Sequence, residues 1–130
     1  MDKIIITVTE SEEKYSVGNK KKYILLDENF KILNDFGRSD NPGYTAQGMG
    51  SDSYYVYFPM SPSSSSSDRS VNILVAYDWS GNYKDIVKVP LSMESESMFY
   101  AAGEYYVNFY SSGAQLYKIT PVISYIPTEK

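Results

Sequence analysis

Tyr54-Tyr55-Val56-Tyr57-Phe58 and Tyr105-Tyr106-Val107-Asn108-Phe109 are two similar segments of one chain, and they decide its fold. They lie 105 − 54 = 51 residues apart. The turn signals Leu26-Asp27 and Tyr77-Asp78 share this spacing, because 78 − 27 is also 51. Two independent landmarks with one offset indicate an internal structural repeat.

Around these landmarks, short and often alternating apolar runs are separated by Gly, Asn, Asp, Ser and Pro, a pattern typical of β-strands and turns. We predict an all-β chain. The expected strands are Ile4–Thr9, Lys22–Leu26, Phe30–Asp35, Ala46–Ser51, Tyr54–Pro59, Asn72–Asp78, Lys84–Pro90, Ser97–Ala101, Tyr105–Tyr110, Gln115–Thr120 and Val122–Tyr125.

The turns between these runs carry their own signals. Asp78-Trp79-Ser80-Gly81-Asn82 predicts a hairpin turn in which Asp78 bonds to the following backbone and Gly81 adopts a positive φ. The segment Asp27-Glu28-Asn29 stands in the same relation to its flanking strands, and Asn29 tolerates a left-handed conformation. The serine-rich residues 61–70 predict a flexible hairpin loop and not a domain linker.

A four-stranded unit that recurs every 40–50 residues is typical of a β-propeller blade. The chain is therefore expected to be a propeller-like array of about 2.5–3 four-stranded antiparallel blades with a ~51-residue repeat. Residues 1–130 then form a single partial propeller, with units near 3–38, 44–91 and 95–126. The alternative is an antiparallel β-sandwich whose halves look alike by chance.

So few blades leave apolar side faces and open sheet edges uncovered, because closed propellers have about four to eight blades. The sequence therefore predicts a homo-oligomer, or pairing with an N-terminal propeller half that this chain lacks.

Charge and composition exclude several classes of function. The 130 residues contain 12 Lys and Arg against 16 Asp and Glu, and this net charge of −4 argues against a nucleic-acid partner. With no Cys and no His, the chain has no disulfide, thiol nucleophile, histidine triad or thiolate or imidazole metal site, and no cofactor is expected. The 14 tyrosines suit half-buried pleated surfaces.

No apolar run reaches the roughly 18 residues of a membrane helix, so no membrane insertion is expected. The segment Met1-Asp2-Lys3 before Ile4 does not fit a signal peptide, because the apolar run is short and an acidic residue stands at its start. The compartment stays open on these grounds.

Ligands of propellers tend to bind at the channel mouth, by analogy at the level of the fold. The candidate binding residues there are Tyr44, Gln47, Glu94 and Glu96, with Trp79 as an aromatic in the hairpin turn that either binds a ligand or caps a neighbouring blade. Tyr44 offers a stacking surface and the polar residues offer hydrogen bonds to sugar hydroxyls. Equally, these polar side chains can simply face water or satisfy backbone groups between blades.

The segments Gln47-Gly48-Met49-Gly50-Ser51-Asp52, Tyr55-Val56-Tyr57-Phe58 and Val75-Ala76-Tyr77-Asp78-Trp79-Ser80-Gly81-Asn82-Tyr83 carry a resemblance. They resemble the C-terminal half of six-bladed-type β-propellers of Gram-positive bacterial and phage-associated surface proteins. The likeness continues through Glu94-Ser95-Glu96-Ser97-Met98-Phe99 and Gly103-Glu104-Tyr105-Tyr106-Val107 and covers about residues 20–120. It implies an extracellular location, or a place on a cell or virion surface.

The sequence favours a non-enzymatic binding or scaffold module. It would complete itself by self-association or with a partner chain and bind a glycan or protein. Two alternatives remain. One is an enzyme acting on polysaccharide, or a subunit of one, that uses Glu94 and Glu96, since residues two apart in a strand point the same way and paired carboxylates cleave glycosidic bonds. The other is a lone β-sandwich carbohydrate-binding module.

Overall fold

The computed structural model describes residues 3–9, 21–38, 43–63, 70–110 and 114–123, and these residues form an all-β structure, as predicted. The strands are β1 (Lys3–Thr9), β2 (Lys21–Asp27), β3 (Ile32–Arg38), β4 (Tyr44–Ala46), β5 (Gly50–Ser51), β6 (Tyr55–Pro62), β7 (Asn72–Asp78), β8 (Tyr83–Val89), β9 (Glu94–Ala101), β10 (Glu104–Tyr110) and β11 (Ala114–Ile119).

The strands form three antiparallel sheets in chain order. Sheet A contains β1, β2 and β3 in that order; sheet B has the order β4-β6-β7-β8, with β5 also paired to β6; sheet C has the order β11-β10-β9. Within the described residues, none of the three sheets closes on itself. The architecture is thus a set of short meanders, each joined to the next along the chain.

Sheet B is the middle layer, because both of its faces are covered. The A/B interface buries a cluster of apolar side chains, namely Tyr23, Leu25, Ala46, Val56, Phe58, Met60, Ile73 and Val75. The B/C interface buries a second cluster, namely Tyr57, Leu74, Ala76, Val89, Met98, Tyr105, Val107 and Phe109. Successive residues of a strand face opposite sides, so the continuous apolar run of β6 supplies both clusters.

Two hairpin turns have the same hydrogen bonds. In the turn after β7, the Asp78 carboxylate accepts from the backbone N–H of Ser80 and Asn82, each at 2.9 Å. In the turn after β2, the Asp27 carboxylate accepts from Asn29 at 2.8 Å and Lys31 at 2.9 Å. Each acceptor and donor in one turn lies 51 residues from its counterpart in the other.

In both turns the residue with a positive φ lies three positions after the turn aspartate. Gly81 has a φ of 84°, as expected, but in the earlier turn the left-handed residue is Phe30, with a φ of 63°, and not Asn29. Asn29 instead donates its backbone N–H to Asp27. The hydrogen bonds of the loop, and not the tolerance of Asn29 for the left-handed conformation, therefore fix which position has the positive φ.

The predicted strand Ala46–Ser51 is divided in the structure. β4 ends at Ala46 and β5 begins at Gly50, and both pair with β6, at its opposite ends. The residues between them leave the strand conformation where Gly48 and Gly50 approach the backbone of β9. Two further expectations shift: Ser61 and Pro62 belong to β6, while 64–69 lie outside the described residues, and residues 121–123 are not in a strand.

Candidate functional site

The structure brings together Gln47 and Glu94, two of the residues predicted at the channel mouth. We call the surface at these two residues the rim. Gln47 follows β4, where its backbone N–H donates to the carbonyl of Pro59 at 2.9 Å. Glu94 is the first residue of β9. The side-chain amide of Gln47 donates from Nε2 to Oε1 of Glu94 at 2.8 Å, across the junction between sheets B and C. This bond joins a half-buried amide to an exposed carboxylate, whose second oxygen can still accept hydrogen bonds.

Tyr44 and Glu96 lie in this region but in different environments. Tyr44 is half-buried and packs against the A/B cluster, so part of its ring is already used in the core. Glu96 is exposed, and it is the extra residue of a β-bulge, because Ser95 pairs with Phe109 while Ser97 pairs with Asn108. The bulge interrupts the regular alternation on which the pairing of Glu94 with Glu96 depends.

Trp79 lies at the other end of the central sheet. Tyr44 pairs with Pro62 at one end of β6, whereas Asp78 pairs with Tyr55 at the other, about 23 Å away at 3.3 Å per residue. The structure therefore separates Trp79 from the other four candidates. Trp79 packs against the A/B cluster and donates its indole N–H to the carbonyl of Asp52 at 2.8 Å, in keeping with the role of a cap between layers.

Asp52 joins elements of sheets B and C at the Trp79 end. Its Oδ1 accepts the backbone N–H groups of Tyr54 and Tyr55, both at 2.7 Å, and closes the turn between β5 and β6. Its Oδ2 accepts the hydroxyl of Tyr105 from sheet C. Above Trp79, the ammonium of Lys3 from sheet A lies 5.7 Å from the ring centroid. All three sheets therefore meet at this end.

The environment of Asp52 changes the acidity of two phenols. Burial raises the pKa of Tyr57 to about 12, although a hydrogen bond with Tyr105 opposes the shift and the charge of Asp52 reinforces it. The pKa of Tyr105 is also raised, first by burial and then by its hydrogen bond to Asp52. Both tyrosines therefore stay protonated at neutral pH, and Tyr105 donates its hydroxyl proton to Asp52.

A chain of tyrosine rings crosses from sheet B to sheet C. Centroid separations are 6.4 Å for Tyr54–Tyr55, 6.1 Å for Tyr55–Tyr57, 5.1 Å for Tyr57–Tyr105 and 4.9 Å for Tyr100–Tyr105. These distances fall within the favourable range for aromatic pairs. This row contains five of the 14 tyrosines: Tyr57 and Tyr105 are buried between sheets B and C, Tyr55 is half-buried, and Tyr54 and Tyr100 are exposed.

A buried polar network fixes the start of sheet C. The hydroxyl of Ser61 donates to Oδ1 of Asn72 at 2.8 Å and lies 2.9 Å from the hydroxyl of Ser95. The Asn72 amide donates to the carbonyls of Leu91 and Met93, both at 2.6 Å. Sequence reasoning did not find this network, since the only signal is the polar Asn72 at the head of an apolar strand.

The arrangement supports binding better than acid–base chemistry. The rim offers amide and carboxylate hydrogen bonds, and the tyrosines offer ring faces. Among the described residues, no group of three or more carboxylates is placed to share a metal ion. Within the same residues, no helix has the length and apolar character to span a membrane.

No protein-family model, curated protein or solved structure matches this chain. The likeness to surface propellers therefore stays a prediction from sequence.

Proposed function

We propose that this chain is a non-enzymatic scaffold and binding module, a partial propeller whose end sheets join further sheets of the same kind. In this proposal the outward faces of sheets A and C form the assembly surfaces. The rim at Gln47 and Glu94 presents polar groups to a glycan or protein ligand on a cell or virion surface.

The observation that carries the proposal is the apolar character of both outward faces. On sheet A, strand alternation and register place Ile4, Ile6, Ile24, Leu26 and Ile32 on the face away from sheet B. Ile32 is 63% exposed. On sheet C, Phe99, Tyr106 and Leu116 face away from sheet B, and Leu116 is 57% exposed. The same face also carries Asn108 and the ion pair of Lys118 with Glu104, so its apolar part is the area around these three side chains. Of the sheet A residues, Ile6 and Ile32 are exposed, Ile4 and Ile24 are half-buried and Leu26 is buried. Exposed apolar side chains grouped on one face mark interaction sites.

The packing within the molecule supports the same proposal. Sheet B buries both faces by contact with a neighbour on each side, whereas sheets A and C each bury one. In repeat architectures, each unit contacts its neighbours and an end unit needs a cap or another unit to cover its outer face. Among the described residues, the isoleucines of sheet A and Phe99 and Leu116 of sheet C leave apolar area uncovered on the end sheets, beside the polar groups of Asn108, Lys118 and Glu104.

Sedimentation velocity combined with binding of the dye ANS, which reports exposed apolar surface, tests this proposal on the whole chain. A mass above that of the monomer indicates self-association through the end sheets. A monomer that binds ANS, with binding weakened by Leu116→Glu, indicates free faces that await another chain. A monomer that does not increase the fluorescence of ANS contradicts the proposal, because its outward faces then offer no apolar binding surface.

A further inference from the structure

We infer that the outward faces of sheets A and C are the two halves of one interface, and that a second copy of this chain covers them head to tail. The inference rests on the proposed function and specifies the partner and the geometry. Its basis is that the A/B and B/C interfaces use equivalent positions of the repeat. Each of these interfaces joins two different faces of the repeat. Among the described residues, one of these faces is uncovered on sheet A and the other is uncovered on sheet C.

The register of the strands identifies equivalent positions. Cross-strand pairs in the three sheets are Ile5 with Leu25, Tyr57 with Ala76, and Asn108 with Leu116. Leu25 and Ala76 each precede their turn aspartate by two residues, and 76 − 25 = 51. Tyr57 and Asn108 are also 108 − 57 = 51 residues apart. The three pairs therefore occupy one place in the repeat.

The second members of these pairs are Leu25, Ala76 and Leu116. In sheets A and B, the face that carries this residue packs on the next sheet along the chain. Leu25 is buried in the A/B interface and Ala76 in the B/C interface. Leu116 occupies the corresponding place on sheet C, where no described residue covers it and it is 57% exposed. We call the face of a sheet that carries Leu25, Ala76 or Leu116 its forward face. The forward face of sheet C is thus the only one among the three sheets, as described, without a neighbour.

The opposite, backward face shows the same progression in reverse. Phe58 of sheet B is buried against sheet A, and Phe109 of sheet C, at 109 − 58 = 51 residues, is buried against sheet B. Both have 0% exposure. Ile6 takes this position on sheet A, since Ile6 pairs with Ile24 as Phe58 pairs with Val75. Ile6 is 39% exposed on the uncovered backward face.

Both internal interfaces therefore bring a forward face against a backward face. Continuing this rule places the forward face of sheet C in one copy on the backward face of sheet A in the next. Such a head-to-tail contact is heterologous, and it either closes into a ring or extends as a filament. One copy supplies three sheets, and only two copies give a total within the range of about four to eight blades of closed propellers. The inferred assembly is a ring of two copies.

Two charged substitutions on opposite faces test this inference. Ile6→Lys places a cation on the backward face and Leu116→Glu places an anion on the forward face. Each variant is measured alone, and the two are then mixed in equal amounts, by sedimentation velocity on the full chain. Tyr83→Glu is the matched control, because Tyr83 lies on the edge strand β8 with the same 57% exposure as Leu116. Circular dichroism and thermal unfolding confirm that each variant is folded.

The inference predicts a dimer for the wild-type chain and for Tyr83→Glu. Each of the other two variants alone should be a monomer, because both junctions of a two-copy ring would then contain the substituted residue. Their mixture should recover the dimer, because one junction is unaltered and the other pairs Lys with Glu. A dimer of Ile6→Lys alone or of Leu116→Glu alone overturns the head-to-tail geometry but leaves association through end sheets in place. A wild-type monomer, or a mass of three or more copies, overturns the two-copy ring.

Discussion

The two interfaces of the central sheet differ in how they are held together. The A/B interface centres on apolar packing, with the rings of Tyr23 and Phe58 stacked at 3.7 Å between centroids. Among the contacts of the described residues, the B/C interface has a comparable apolar cluster and, in addition, side-chain hydrogen bonds that Gln47 and Asn72 donate and that Asp52 accepts. The side chain of Asn34 does reach across to the carbonyl of Ser80, but at the exposed turn.

This difference indicates that sheets B and C form the better specified pair. Apolar packing depends on area and volume and tolerates small shifts, whereas buried hydrogen bonds fix relative position because leaving them unmade is costly. We therefore expect sheet A to separate from the stack before sheet C does. The following predictions test this contrast, from the largest expected effect to the smallest.

Phe58→Ala should have the largest effect, a loss of about 3–5 kcal/mol in the free energy of unfolding, because it removes the buried ring that stacks on Tyr23. The loss should appear first in sheet A. Hydrogen exchange is expected to show earlier loss of amide protection in β1 and β2 than in β10. The matched change Phe109→Ala should lower the free energy of unfolding by a similar amount. In that variant the amides of β1 and β2 should exchange no faster than those of the other strands. Equal loss across all three sheets in both variants would contradict the contrast.

Asn72→Ala should lower the free energy of unfolding by about 2–4 kcal/mol, since it removes a buried amide and leaves the part-buried carbonyls of Leu91 and Met93 without their donor. Chemical denaturation measures this loss. The same substitution at Asn29, in an exposed turn where only the backbone N–H is used, should change stability by no more than about 0.5 kcal/mol. Equal effects at the two positions would show that the buried network does not hold the B/C junction.

Gly50→Ala should cost about 1–3 kcal/mol through overpacking. A Cβ at this position would lie 2.8 Å from Cγ of the buried Met98 and 3.1 Å from its carbonyl oxygen. Gly103→Ala is a control for backbone strain alone, because its added Cβ meets nothing within 4 Å although its φ is +80°. In a double-mutant cycle followed by thermal unfolding, Gly50→Ala should cost less in a Met98→Ala background than in the wild-type chain; an equal cost in both backgrounds would place the strain elsewhere.

Alkaline pH should weaken the B/C interface. Tyr57 has a pKa of about 12 in the folded chain, above its ordinary value of 10.0, so folding favours the protonated phenol. This contribution is complete below about pH 10 and is lost as the pH rises towards 12. The pH dependence of chemical denaturation, followed with tyrosinate absorbance, measures it. Tyr57→Phe should show a flatter decline above pH 10, and an unchanged slope would argue against this assignment.

Phe30→Gly should give the smallest effect, a gain of about 0.5–1 kcal/mol. Phe30 holds a φ of 63° that glycine adopts without strain, and its side chain is 71% exposed, so little packing is lost. The substitution makes the turn after β2 match the one after β7, where Gly81 stands. Thermal unfolding tests the gain, and the reverse change Gly81→Phe should be destabilising. A loss of stability in Phe30→Gly would mean that the exposed ring has a partner.

Local patterns predicted the strands and the turns well, because both depend on neighbours in sequence. The Asp78 turn illustrates this. Partial burial disfavours its carboxylate, yet hydrogen bonds from Asn82 and Ser80, together with Lys84 at 3.3 Å, outweigh that and lower the pKa of Asp78. Every one of these partners lies within six residues of Asp78, so the motif is legible from the sequence.

Features that depend on contacts between sheets were much less predictable. Alternation alone could not show that β9 bulges at Glu96, or that the strand breaks between Ala46 and Gly50, where Gly48 and Gly50 pass β9 closely. The contact between Gln47 and Glu94 was anticipated only because both were expected at one end of the repeat. The role of Trp79 was left open between ligand binding and capping, since its partner Asp52 is 27 residues away.

Cross-linking between single introduced cysteines tests the head-to-tail account most directly, because the chain contains no cysteine of its own. Ile6→Cys and Leu116→Cys are prepared separately and treated with a flexible bis-maleimide, alone and as an equal mixture. The account predicts that the mixture yields a cross-linked dimer containing one chain of each kind, while neither variant cross-links to itself above the level of a Tyr83→Cys control. Efficient self-linking of either variant, or no link in the mixture, would contradict it.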